Sequence, residues 1–165
     1  MYFHHRYMLN QPFTGYTPCY TPYPNSVLVY PVVVYPRNEA GHLRRNKELV
    51  RSLFDTVFNQ HQVDAAVHLL TEDYIQHNPA VPTGRKAFMD TFRDLFKKYP
   101  GYHASIKRII AEGDYVAVHN HTVTGPNDRG NAILDIFRIE DGKIAEHWDV
   151  IQPVPEHSAN QNTMF

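Results

Sequence analysis

Hydrophobic positions along this chain change period at Gly101. Before it, Leu49, Val50, Leu53, Phe54, Val57 and Phe58 recur at three-to-four spacing and predict a helix with one apolar face. Asp64 followed by Ala66, Val67 and Leu70 signals a second, short helix. The segment 71–79 breaks that period, and Pro79 and Pro82 predict irregular chain there. A third helix follows Gly84, with Phe88, Phe92, Leu95, Phe96 and Tyr99 on its buried face, and Pro100-Gly101 ends it.

After Gly101 the apolar residues alternate. Four strands are predicted over 102–112, 115–124, 131–140 and 143–152. Glu112-Gly113-Asp114 and Glu140-Asp141-Gly142 are tight hairpin signals, and 125–130 reads as a longer hairpin loop. Helices first and an antiparallel meander afterwards predict an α+β fold, a curved antiparallel sheet packed on N-terminal helices. A sheet curved strongly enough makes a cone with a pocket inside.

Composition changes the picture mainly at the N-terminus. The first 36 residues hold seven of 11 tyrosines and six of 12 prolines, and Arg6 is their only formally charged side chain. Residues 1–40 therefore read as a Tyr/Pro-rich extension without a core of its own, and 41–165 as the globular domain. The extension is either a flexible tail or an adhesive segment that places the domain in an assembly; Val27 to Tyr35 also has the pattern of an edge strand.

Sixteen basic and 17 acidic residues leave a formal net charge of −1. That balance argues against a nucleic-acid partner and against an anionic membrane surface. The single cysteine, Cys19, forms no internal disulfide, and no run approaches a membrane span, so a cytoplasmic protein is expected.

Strand alternation sorts the candidate chemistry. Asp135 shares its face with Ile133, Phe137 and Ile139, so burial is expected to raise its pKa toward the range of a general acid or base. A buried Asp held in a structural hydrogen bond is the alternative. His119 and His121 share a face with Ala117 and Val123. Their spacing invites a metal reading, but 122–130 lacks the glutamate that a cupin-type motif needs, so no metal is expected. On the last strand His147 and Asp149 share one face and Trp148 lies on the other. Trp148 is read as a pocket wall or a core plug. Asp149 is read as a second carboxylate near Asp135 or an ion-pair partner of Arg138. His77 and Asn78 sit at an expected pocket rim.

The strings Tyr74-Ile-Gln-His-Asn-Pro79, Ala111-Glu-Gly-Asp-Tyr-Val-Ala-Val118 and Asp135-Ile-Phe-Arg-Ile-Glu-Asp-Gly-Lys-Ile-Ala-Glu-His-Trp-Asp149 resemble the SnoaL-like polyketide cyclase family, within the nuclear-transport-factor-2-like superfamily. The ending Asn160-Gln-Asn-Thr-Met-Phe165 resembles its subgroup of predicted aldol-condensation-catalysing proteins. The resemblance covers about residue 44 to the end. It implies a cone-shaped α+β barrel, commonly a homodimer, with a cofactor-free pocket for a small apolar or carbonyl-containing molecule. It also implies acid/base chemistry of the aldol cyclase, isomerase or dehydratase type. The expected catalytic residues are Asp135, His121 and His119, and the expected substrate-binding residues are Tyr74, His77, Asn78, Trp148 and Asp149. A non-catalytic ligand-binding or assembly module that uses the tail is the rival expectation.

Overall fold

The computed structural model describes residues 37–165; residues 1–36 of the N-terminal extension, with its predicted edge strand, lie outside the described residues, and its last four residues belong to the first helix. Helix α1, Arg37–Ser52, runs straight into a π-helical segment, Leu53–Asn59. The wider π turn still buries Leu53, Phe54, Val57 and Phe58 together, so the apolar stripe read from the sequence survives the change of helix type. A short turn at Val63–Ala65 leads into α2, Ala66–Leu69, and α3 spans Arg85–Lys98. Phe88, Met89 and Phe96 of α3 are buried. No helix among the described residues is long and apolar enough to cross a membrane.

Five strands form one curved, unclosed sheet in the order β1-β5-β4-β3-β2. They are β1 Leu70–Gln76, β2 His103–Glu112, β3 Tyr115–Val123, β4 Asn131–Glu140 and β5 Lys143–Pro153. The last four are the predicted antiparallel meander, with ends that differ from expectation by about one residue. Strand β1 replaces the irregular chain expected over 71–79, and it pairs parallel to β5. Leu70 and Tyr74 of this strand are both fully buried in the core.

Register shifts interrupt the β1–β5, β2–β3 and β4–β5 pairings. Such bulges bend a strand and increase its twist, which curves the sheet around the helices. Asp141 and Gly142 both take positive φ, 49° and 74°, as a two-residue turn between strands of this twist requires. Gly130 closes the β3–β4 loop at φ 74°, where a Cβ would stand 2.2 Å from the Thr122 carbonyl oxygen. Only glycine fits there.

One face of the sheet meets the helices. Val116, Val118, Asn120 and Thr122 of β3, and Asp135, Phe137 and Ile139 of β4, are buried on that side. The core joins them to Phe54, Val57, Phe88 and Ile144. The opposite face carries Ile110, Tyr115, Leu134, Ile136 and Val150, all exposed.

Candidate active site

Between the inner face and the helices lies a cavity of about 270 Å³. Phe58, Phe88, Phe92 and Tyr102 supply its aromatic wall, and Tyr74, Gln76, Asn120, Asp135, His147 and Asp149 converge at its polar end. The convergence follows from register. Asp135 stands directly opposite Val118 on β3 and Asp149 on β5. Asn120 and His147, two residues further along those strands, are its diagonal neighbours on the same face. Strand β1 brings in Tyr74 and Gln76, and the chain just beyond it brings in Asn78.

Asp135 is 9% exposed and makes two side-chain contacts. Its Oδ1 lies 2.9 Å from His147 Nε2, and its Oδ2 accepts a hydrogen bond from Asn120 Nδ2. Asn120 is anchored in turn, because its Oδ1 accepts from the Thr122 hydroxyl at 2.8 Å. Burial drives the Asp135 pKa above the ordinary carboxylate value, and the charge of Asp149 adds to that. The contacts with His147 and Asn120 oppose the rise without cancelling it.

The hydrogen-bond chain fixes a proton count. Gln76 Oε1 accepts the Asn78 backbone N–H at 2.9 Å, so the oxygen of that amide is identified by a group that only donates. The same oxygen lies 2.8 Å from His147 Nδ1, which must therefore carry a hydrogen. His147 Nε2 and Asp135 Oδ1 are then left to share one proton, as imidazolium and carboxylate or as imidazole and carboxylic acid. Both forms satisfy every contact, and the pair exchanges one for the other by moving a single proton.

Around the pair, Asp149 Oδ2 accepts from Asn78 Nδ2 at 2.7 Å, and Tyr74 accepts from Gln76 Nε2 at 3.3 Å. Burial, followed by the charges of Asp135 and Asp149, holds the Tyr74 hydroxyl far above its ordinary pKa, so it stays protonated as a donor. Burial also pushes the Tyr102 phenol up to about 12. Asp135, His147 and Asp149 bring ligand atoms within 4.8 Å of one another, the arrangement among the described residues that has the donors to hold a metal ion.

Four of the expected site residues are here: Asp135, Asp149, Asn78 and Tyr74. Four are not. His119 and His121 lie on the outer face of β3, because Asn120 and Thr122 take the inward positions. His119 Nδ1 is 3.1 Å from Arg108 Nη1, His121 Nε2 is 2.8 Å from the Arg129 carbonyl oxygen, and both rings pack on Phe165. Trp148 is also on the outer face, stacked on His77 at 4.7 Å between ring centres, and neither lines this cavity. His77 is held by Glu146 at 2.8 Å. Arg138 pairs with Glu146 and Glu140, which leaves Asp149 to Asn78. His147, Gln76 and Asn120 were not picked out as site residues. Strand parity with Asp135 and Asp149 is the one signal that reaches His147 and Asn120.

Residues 50–147 match the family model described as the SnoaL-like domain. No curated protein matches the chain. Several solved structures share the fold. A candidate ketosteroid isomerase from Kribbella flavida aligns at 22% identity over 72% of this chain and 85% of its own, with a TM-score of 0.57. IdmH from Streptomyces antibioticus, a candidate polyketide cyclase, aligns at 20% identity over 64% of this chain and 91% of its own, with a TM-score of 0.54. A SnoaL-like protein of unknown function from Burkholderia thailandensis aligns at 17% identity over 66% of this chain and 95% of its own, with a TM-score of 0.58.

Proposed function

Because the chain belongs to the SnoaL-like domain family, we propose that it is a cofactor-independent acid/base enzyme of the cyclase or isomerase type, acting on a small apolar carbonyl compound. The single observation behind this reading is the buried Asp135–His147 contact, 2.9 Å long, at the polar end of an otherwise apolar cavity. In its charge-separated form Asp135 is a carboxylate in a buried site, a stronger base than in water, and His147 steadies it. The carboxylate takes a hydrogen from the carbon next to the substrate carbonyl. The electron pair of that C–H bond forms a C=C bond, and the carbonyl oxygen becomes an enolate oxygen. The Tyr74 hydroxyl, kept protonated by burial, is the donor for that oxygen. The enolate carbon then attacks a second carbonyl in a cyclase, or Asp135 returns the proton at another carbon in an isomerase.

The test is exchange of substrate α-hydrogens. The protein is incubated with α-tetralone in D₂O, and loss of the α-proton signals is followed by NMR. Exchange above the buffer rate is expected; none above it would remove the acid/base reading.

The proposal includes a homodimer formed through the outer face of the sheet, where Ile110 and Val150 are 66% and 69% exposed beside Tyr115, Leu134 and Ile136. It also includes residues 41–165 as the catalytic unit and a cytoplasmic setting, in which the one thiol, Cys19, needs no partner.

A further inference from the structure

The cavity carries information about its ligand that the acid/base reading does not use. The first is size. An apolar cavity of about 150 Å³ holds one benzene, so on that scale the space here, about 270 Å³, holds about 11 heavy atoms. A four-ring skeleton of about 17 carbons would need roughly 430 Å³ on the same scale. Its aromatic wall is a packed cluster: the ring centres of Phe58 and Phe92 stand 5.0 Å apart, and those of Phe88 and Phe92 4.5 Å apart. Leu95 completes the α3 side of the wall.

The second is charge. Asp135, Asp149 and His147 line the cavity, and among the described residues no lysine or arginine does. With one proton shared between Asp135 and His147, that pair is neutral overall, and Asp149 leaves the interior net negative. A carboxylate or phosphate on the ligand would enter a low-dielectric space with a like charge and no cation to meet it. An uncharged carbonyl oxygen carries no such penalty.

We propose that the site takes an uncharged carbonyl compound of one or two rings and rejects both four-ring skeletons and carboxylated analogues. This rests on the acid/base reading for the carbonyl itself, while size and charge selection rest on the walls alone.

Calorimetric titration of the full chain with four probes tests it: cyclohexenone, α-tetralone, a tetralone carboxylate and the steroid androstenedione. α-Tetralone is expected to bind tightest. The carboxylate should bind at least about tenfold more weakly, a difference of about 1.4 kcal/mol, and the steroid more weakly still. Phe92→Ala lengthens the cavity and should move the preference toward the steroid. Because Phe92 also packs on Phe96, Leu95→Ala serves as a second, milder enlargement with the same expected direction. Steroid binding equal to or tighter than α-tetralone, equal binding of the carboxylate, or no binding by any probe at millimolar concentration each overturns the proposal. The exchange experiment separates it from the reading beneath it. Selective binding without α-hydrogen exchange overturns the acid/base reading and leaves the selectivity standing, whereas exchange without selectivity does the reverse.

Discussion

Asp135→Asn changes one charge and almost no shape, and the structure says what each hydrogen bond will do. The new Oδ1 accepts from Asn120 Nδ2, as the carboxylate oxygen did. The new Nδ2 donates to His147 Nε2, whose lone pair is free because Nδ1 carries the hydrogen. Every contact is kept, so stability should stay within about 1 kcal/mol of the wild type. Asp135→Leu is the contrast. It strands the Asn120 Nδ2 donor and His147 Nε2 in the interior, at about 1–3 kcal/mol each, for a total loss of about 2–6 kcal/mol. For catalysis the asparagine variant loses the base. General bases contribute about 10²–10⁴-fold, which is about 2.7–5.5 kcal/mol of barrier.

The pH dependence of stability has a definite sign. The folded Asp135 pKa lies above its unfolded value, so between the two the native state holds a proton that the unfolded chain has released. The stability this carboxyl contributes is full below the unfolded pKa and is lost as pH rises through the folded one. The asparagine variant does not titrate there, so its stability relative to wild type should rise with pH across that window. Denaturant melts from acid to neutral pH, alongside α-hydrogen exchange, check both halves. An asparagine variant that exchanges at the wild-type rate would refute the base assignment. One that melts like the leucine variant would refute the hydrogen-bond accounting.

Other substitutions test the boundaries of the site. His119→Ala and Trp148→Ala, on the outer face, should leave the exchange rate within about twofold of wild type; a loss of tenfold in a folded variant would reinstate them. Zinc added in slight excess should inhibit, because it competes for Asp135, His147 and Asp149, and a chelator should restore the rate; stimulation by zinc would point instead to a metal-dependent reaction. Ile136→Lys with Val150→Glu should convert a dimer to a monomer in light scattering, at little cost to monomer stability since both side chains are exposed; an unchanged mass would move the interface elsewhere.

The meander was legible because alternation and hairpin glycines are local signals. Strand β1 was not, because its pairing is long-range. Leu70 and Tyr74 sit four apart with Glu72 and Asp73 between them, a pattern closer to a helix than to a strand, and only the parallel partner β5 defines the geometry. On β3, alternation correctly separated His119 and His121 from Asn120 and Thr122. Choosing which set faces inward was a second step, and the histidines attracted it by their chemistry. The signal against them was already present. Val116 and Val118 share parity with Asn120, whereas the outward set begins with Tyr115, which is exposed. Trp148 misled in the same way, since its size suggested a wall while its parity opposed that of His147 and Asp149.

The amide side chains and one backbone amide decide what the site can do. Asn78 contributes a backbone N–H, which identifies the oxygen of Gln76; that oxygen settles which nitrogen of His147 is protonated; and the tautomer leaves one mobile proton facing Asp135. Asn120 holds the other carboxylate oxygen and is itself held by Thr122. Removing the Gln76 oxygen would free His147 to flip its tautomer and donate to Asp135 while neutral, and the pair would lose its defined count. A buried carboxylate is costly to fold, as its raised pKa records. This chain carries that cost in a frame of neutral amides that orient the carboxyl group, where an arginine beside it would have lowered its pKa and made it a weaker base.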